Sequence, residues 1–132
     1  MALLDTTFLS DLLREKREAI DLLEQLRSEG RKLTTTTLNL AELYSGAYRL
    51  AESAGRVHAV EQFAEALVLL DFDVRSAKVF GELEAYLTRE GKSVPVKDLL
   101  IASTGLSHGE HVVLTRNRKD FERIPGIEVR PY

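Results

Sequence analysis

Short apolar segments alternate with helical patterns along the chain, and this alternation restricts the fold more than any other feature of the sequence. The apolar or β-branched segments are typical of strands, and they comprise residues 2–4, 32–37, 67–72 and 111–115, with a short edge strand at 127–129. Apolar residues at helical spacing separate the first four of these segments. Strands joined by helices form right-handed crossovers, so the pattern predicts an α/β fold whose parallel sheet is covered on both faces.

Several residues predict where the helices begin and end. Charged residues at 14–18 indicate a break between two helices, and Gly30 ends the second of them. Asn39 and Glu42 have the spacing of a capping box at the start of the helix that follows the second strand. Pro95 is expected in the first turn of the helix that precedes the fourth strand.

Length and composition indicate one globular domain over residues 1–132. The chain contains no cysteine, which excludes disulfides and thiolate chemistry and fits a reducing, cytoplasmic setting. Neither a signal peptide nor an apolar run long enough to span a membrane is present, so we expect a soluble protein with no membrane partner. The net charge of -3 argues against a generic nucleic-acid coat but is compatible with a site built from carboxylates.

Acidic residues occur where the predicted strands end. Asp5 follows the first strand, Glu42 lies early in the helix after the second, Asp73 follows the third, and Asp120 lies a few residues beyond the fourth. Asp98 lies in the first turn of the helix that leads into the fourth strand. Strands of a parallel sheet have their carboxyl ends at one edge, where ligands bind in α/β folds. The acids at these ends therefore converge if their strands are neighbours.

Each of these acids also has a structural explanation. Asp5 can cap a helix, Glu42 can complete a capping box, Asp98 can interact with a helix dipole, and Asp120 can be an exposed loop residue. Several carboxylates at one edge nevertheless repel one another, and a divalent cation is the usual means of neutralising them. Oxygen ligands without cysteine favour a hard ion such as Mg²⁺ or Mn²⁺. Such an ion activates water and stabilises charge on a phosphodiester, which is the chemistry of a nuclease.

A cluster of cations follows the fourth strand directly. Arg116, Arg118, Lys119 and Arg123 lie within eight residues of one another. Each alone is compatible with a solvated loop. As a group at the same edge as the acids they are suited to hold a nucleic-acid backbone, with Arg116 and Arg118 nearest to the strand end.

Four segments in order carry a resemblance to a known family. LLDTTFL, NLAELYSG, VKDLLIAST and VVLTRNRKDF resemble the motifs of PIN domains, and within these the short VapC-type toxins of type II toxin-antitoxin pairs. The resemblance covers nearly the whole chain. It implies a three-layer α/β/α sandwich with a mainly parallel sheet of four to five strands and a Mg²⁺ or Mn²⁺ site. It also implies endoribonuclease activity on RNA, homodimerisation, and inhibition by a small cognate antitoxin that inserts a segment near the active site.

The family's site residues transfer by position onto this chain. Asp5, Glu42 and Asp98 match the three core acids and are the expected metal ligands and catalytic residues. Thr6 and Thr115 match hydroxyl positions near the metal.

A fourth acid often follows the second threonine by two residues in this family, and this chain has Asn117 there. Either Asn117 or Asp120 is therefore expected to complete the site, or the site works with three acids.

Two other functions are compatible with the pattern. A phosphotransfer domain would use Asp5 as a phosphorylated nucleophile, but the second acid that the haloacid-dehalogenase pattern requires is Thr7 here. A binding module would keep the fold and the antitoxin interface with weak or no catalysis, and Asn117 in place of an acid is the feature that favours it.

Overall fold

The computed structural model describes residues 2–132, and within this range the chain forms five strands and seven helices. The strands are β1 (Ala2–Leu4), β2 (Leu33–Thr36), β3 (Val68–Leu70), β4 (Val112–Leu114) and β5 (Glu128–Arg130). The helices are α1 (Thr6–Leu13), α2 (Arg17–Ser28), α3 (Thr37–Tyr48), α4 (Ala54–Ala66), α5 (Val74–Arg89), α6 (Val96–Ser107) and α7 (Arg118–Phe121).

All strand pairs are parallel, and the order across the sheet is β3-β2-β1-β4-β5. The chain moves outward from β1 to β3, then returns through α5 and α6 to the other side of β1. The strand order therefore reverses between β1 and β4, where Leu3 pairs with Val113. A crevice opens beyond the carboxyl ends of the strands at such a reversal, and this crevice is the usual ligand site of open α/β sheets.

Alternate residues of the central strands contribute to two separate cores. Ala2 and Leu4 pack with Leu114 against helices α1 to α4. Leu3 and Val113 point to the opposite face and pack against α5, α6 and α7. The predicted three-layer α/β/α sandwich with a parallel sheet is thus confirmed, because successive side chains of each buried strand require apolar cover on both faces.

The break predicted at residues 14–18 is confirmed, since α1 ends at Leu13 and α2 begins at Arg17. The predicted capping box of Asn39 and Glu42 is wrong by one turn. Thr36 is the N-cap of α3 and Asn39 is its reciprocal partner, because β2 runs into α3 without a loop. Pro95 immediately precedes α6 as its N-cap instead of lying within the first turn.

Gly105 allows α6 to approach β1 closely. A Cβ at this position would lie 3.0 Å from Leu3 Cδ1 and 3.3 Å from the carbonyl oxygen of Glu110. We expect Gly105→Ala to lower the free energy of unfolding by about 1 kcal/mol, because overpacking outweighs the better helix propensity of alanine. Gly81→Ala is the matched control, since nothing lies within 4 Å of its added Cβ, and it should stabilise the protein slightly. Urea unfolding measures both, and equal effects of the two substitutions would contradict the close packing.

No helix within residues 2–132 has the length and apolar character needed to cross a membrane.

Candidate active site

Asp5 lies at the end of β1, at the point where the strand order reverses. Its side chain is 3% exposed and makes no capping hydrogen bond to α1, so the capping explanation does not account for it. The carboxylate instead accepts hydrogen bonds from Thr115 Oγ1 at 2.6 Å and Asn39 Nδ2 at 3.1 Å. Burial raises the pKa of Asp5, an effect that the hydrogen bond from Thr115 opposes and the nearby charge of Glu42 reinforces.

Asn39 is the site residue that sequence patterns did not reveal. It is fully buried, and its Nδ2 donates to Asp5 Oδ1 at 3.1 Å and to Thr6 Oγ1 at 3.0 Å. Its Oδ1 accepts from the backbone N–H of Thr36 at 3.2 Å and from the Thr36 hydroxyl at 2.6 Å. One amide therefore ties the start of α3 to the end of β1. The capping pattern near residue 39 was visible in the sequence, but its second function depends on β1 and β2 being neighbours.

Glu42 lies one turn further along α3 and faces the crevice. Its Oε1 accepts a hydrogen bond from Thr6 Oγ1 at 2.9 Å, and its Oε2 lies 3.2 Å from Lys97 Nζ. Because the capping role belongs to Asn39, the carboxylate of Glu42 is available for other interactions. Thr6 connects it through Asn39 to Asp5.

Asp98 reaches the crevice from the first turn of α6. Its Oδ2 accepts a hydrogen bond of 2.6 Å from Asn117 Nδ2. Burial, followed by the charges of Asp5, Asp120 and Glu42, raises the pKa of Asp98 to about 7. Three of the other predicted acids, Asp5, Asp120 and Glu42, therefore lie close enough to Asp98 to influence its protonation.

Asp73, in contrast, is not among the acids that influence Asp98 or Asp5. It follows β3, which is an edge strand, and its carboxylate caps α5 by accepting from Ser76 N at 2.9 Å. The convergence expected for the acids at the strand ends therefore does not extend to Asp73, because two strand positions separate β3 from β4.

The residues after β4 divide into two groups. Thr115 is buried and donates to Asp5, and its Oγ1 also accepts the backbone N–H of Asn117 at 2.9 Å. Arg116 and Arg118 are partly exposed and form ion pairs, Arg116 with Asp11 and Arg118 with Glu122 at the end of its own helix. Arg116 follows Thr115 directly, whereas Arg118 begins α7.

The donor set of this crevice suits a hard, hydrated cation. All its charged donors are carboxylates, and burial together with mutual repulsion raises the pKa of Asp98 in the absence of a counterion. Within residues 2–132 no three acidic or histidine side chains come together as a compact metal cage. Mg²⁺ keeps several of its waters and contacts few protein ligands directly, so an open arrangement of carboxylates fits it.

The raised pKa of Asp98 gives a pH dependence of stability. A carboxyl whose pKa is higher in the folded state stabilises the fold below its unfolded pKa near 3.8, and this contribution is lost as the pH rises through about 7. In EDTA, the melting temperature of Asp98→Asn relative to wild type should therefore increase between about pH 4 and pH 7 and then level off. Thermal melting across this range measures it. A constant difference between the two proteins would contradict the raised pKa.

The parallel sheet and its acidic crevice define the chain as an α/β/α protein whose functional centre lies at the reversal of strand order. The family model described as PIN domain matches residues 2–127, and the chain therefore belongs to the PIN-domain family. Its relatives within that family are VapC ribonucleases. The tRNA(fMet)-specific endonuclease VapC of Salmonella typhimurium is 32% identical over 98% of this chain and 96% of its own length. Ribonuclease VapC2 of Haemophilus influenzae is 28% identical over 83% of this chain and 82% of its own length.

Solved structures show the same architecture. The DNA-bound VapBC structure from Salmonella typhimurium matches with a TM-score of 0.86 and 30% identity over 98% of this chain and 96% of the other. VapBC2 from Rickettsia felis, bound to a promoter DNA fragment, matches with a TM-score of 0.89 over 99% of this chain and 98% of the other. At 24% identity, the second likeness concerns the fold alone. The phosphotransfer alternative finds no support among these relatives.

Proposed function

We propose that this protein is a metal-dependent endoribonuclease, the toxin of a toxin-antitoxin pair, which hydrolyses phosphodiester bonds of cytoplasmic RNA at the acidic crevice. The observation that carries the proposal is the convergence of acids at one crevice, where hydrogen bonds through Thr6 and Asn39 join Glu42 to Asp5 and the charges of Asp5, Glu42 and Asp120 reach Asp98. Support comes from the ribonuclease relatives, of which the Salmonella protein is named for cleavage of a tRNA.

Asp5, Asp98 and Glu42 would hold Mg²⁺ or Mn²⁺, directly or through its waters. When bound, the ion would supply an activated water and stabilise the negative charge that develops on the phosphodiester. Thr6 and Thr115 hold the carboxylates of Glu42 and Asp5 in place through hydrogen bonds of 2.9 Å and 2.6 Å. Such hydrogen bonds to ligating carboxylates fix their orientation.

Asp98 is suited to receive a proton from the attacking water. Asn117 occupies its Oδ2, and no side chain among residues 2–132 donates to its Oδ1. This free oxygen can accept a hydrogen bond from a water that the ion holds, which is the geometry that a general base requires. In this arrangement Asn117 orients Asp98, and Asp120 supplies the fourth negative charge. The asparagine that favoured a binding module thus has a function within an active centre.

Cleavage of labelled RNA by the purified protein tests the proposal. Wild-type protein should cut a pool of structured RNAs in Mg²⁺ or Mn²⁺, and EDTA should stop the reaction. Asp5→Asn should be inactive, whereas Glu61→Gln, an exposed carboxylate on α4, should behave as wild type. Cleavage that survives both EDTA and Asp5→Asn would exclude this site as the source of activity.

A groove of about 650 Å³ opens beside Thr6 and Glu42. Its apolar residues include Leu13, Leu43 and Leu100, and its cations are Arg14, Arg49, Arg56 and Lys97. We infer that an amphipathic segment of the cognate antitoxin lies in this groove and blocks access to the acids. The support is the position of the groove beside the site, together with the VapBC structures that this fold resembles.

Homodimerisation, which the family resemblance implies, stays a prediction. Gel filtration with light scattering tests it.

A further inference from the structure

Asp11 is a buried carboxylate that belongs to none of the interactions described for the acidic crevice. It lies on α1, is 2% exposed, and its Oδ2 accepts a hydrogen bond of 2.8 Å from the hydroxyl of Tyr132. The same oxygen lies 3.2 Å from Arg116 Nε, and Lys16 Nζ lies 3.5 Å from Oδ1. Burying a charge is costly unless partners compensate it, so the position of Asp11 needs an explanation.

The backbone of Arg116 is connected to the active centre. Its N–H donates to Thr7 Oγ1 at 3.0 Å, and Thr7 Oγ1 lies 3.2 Å from the hydroxyl of Thr115. Thr115 in turn donates to Asp5. The guanidinium of Arg116 therefore extends from a backbone position that is fixed relative to the carboxylates.

The contact of Asp11 with this guanidinium is an ion pair at Nε, which leaves the outer nitrogens free. The Arg116 side chain is 49% exposed, and none of residues 2–132 bonds to its two terminal nitrogens. A guanidinium that is held at one edge presents its remaining N–H groups in a fixed fork, which matches the oxygens of a phosphate. Arg118 lacks this arrangement, because it pairs with the exposed Glu122, the residue that follows α7.

Tyr132 contacts two residues of α1, Phe8 and Asp11. Its ring contacts Phe8 edge to face at a centroid distance of 4.9 Å, which places the hydroxyl at Asp11. Burial and the hydrogen bond to Asp11 raise the pKa of Tyr132 to about 12, so the hydroxyl remains a donor at neutral pH. The last residue of the chain thus limits the directions available to the Asp11 carboxylate.

We propose that Arg116 contacts a phosphate of the RNA beside the acidic crevice, and that Asp11 and Tyr132 are positioning residues that hold its guanidinium for this contact. The proposal rests on the proposed ribonuclease function. It adds residues that were not part of the predicted site. It also distinguishes the two arginines that the sequence placed together, since only Arg116 has a buried carboxylate to orient it.

RNA binding in EDTA separates positioning from simple electrostatics. The probe is a fluorescently labelled single-stranded RNA of mixed sequence, and anisotropy gives Kd over a range of salt concentrations. Arg116→Ala should raise Kd about tenfold and reduce the slope of log K against log salt by about 0.7, the value for one phosphate contact on a single strand. Arg116→Lys should retain the slope but recover only part of the affinity, because lysine lacks the fork. Arg118→Ala is the control and should have a smaller effect on Kd.

Asp11→Asn distinguishes most sharply between a positioning role and a simple electrostatic effect. If charge alone mattered, removing a negative charge beside RNA would strengthen binding, whereas loss of positioning weakens it. We expect Kd to rise several-fold in Asp11→Asn and to be unaffected by the same change in the Arg116→Ala background, since the two residues act as a unit. Tyr132→Phe removes only the hydroxyl, and it should raise Kd by a smaller factor without altering the slope.

Thermal melting of each variant confirms that it is folded under the binding conditions. Tighter binding by Asp11→Asn, or an unchanged Kd and slope in Arg116→Ala, would overturn the positioning role while leaving the ribonuclease function intact. Wild-type protein that neither binds nor cleaves RNA would instead overturn the proposed function itself.

Discussion

Asp98→Asn is expected to lower the rate of RNA cleavage by about 10²- to 10⁴-fold, the range for loss of a group that transfers a proton. The substitution preserves the shape of the side chain and removes its charge. At the same time the metal-free protein should become more stable at neutral pH, because the pKa of Asp98 is raised to about 7 by burial and by Asp5, Asp120 and Glu42. Loss of activity with gain of stability is the signature of a site whose charges are tolerated for function.

Single-turnover cleavage in Mg²⁺ and thermal melting in EDTA measure the two effects on the same preparation. The matched control is Asp21→Asn on α2, whose side chain is 61% exposed and, within residues 2–132, forms an ion pair with Arg17 alone. Asp21→Asn should leave the cleavage rate unchanged and should alter the free energy of unfolding by no more than about 0.5 kcal/mol. If Asp98→Asn retained cleavage, the proton would have to be transferred by another residue.

The second large effect is expected for Asn39→Ala, which should lower the free energy of unfolding by about 2–4 kcal/mol. The substitution removes the reciprocal cap of α3 and also the amide donor to Asp5 Oδ1. A buried carboxylate that loses a hydrogen-bond donor retains its desolvation cost. The decrease in the free energy of unfolding is therefore larger than that for an ordinary helix cap. Cleavage should fall as well, because Asp5 and Thr6 lose the group that fixes their relative positions.

Urea unfolding in EDTA tests this expectation. Ser45→Ala serves as the control on the same helix, since Ser45 is exposed and its hydroxyl, among the described residues, hydrogen-bonds to Arg49 alone. Asn39→Asp is informative because it keeps the acceptor for Thr36 but places a second carboxylate against Asp5. It should be more destabilising at neutral than at acidic pH. If Asn39→Ala and Ser45→Ala were equally mild, Asn39 would not connect the two elements energetically.

Much of the architecture was predictable because it depends on short-range patterns. Alternating apolar runs and helical spacing identified the strands and the parallel connections, and the charged residues at 14–18 identified the break between α1 and α2. Strand ends differ from the predictions by one or two residues. The third strand is shorter than predicted, because Asp71 and Phe72 lie outside the sheet, between Leu70 and the start of α5 at Val74.

The candidate site was predictable to the extent that strand ends share one edge. Asp5, Glu42, Asp98 and Asp120 were each assigned by position, and the structure brings the other three within electrostatic range of Asp98. Asp73 satisfied the same local rule but caps α5 instead. Which acids meet depends on the order of strands, and a sequence pattern within one strand carries no information about its distant neighbours.

Local patterns were therefore sufficient for the elements, their parallel arrangement and the chemical type of the site, since hydrophobic periodicity and residue chemistry act over a few positions. The assignment of partners required the folded chain. Asn39 meets Asp5 across 34 residues, Thr115 meets Asp5 across 110, and Tyr132 meets Asp11 across 121. The first two contacts arise because β2 and β4 both pair with β1, and the third arises because Tyr132 packs against α1. Strand order and helix packing therefore set which side chains become buried together.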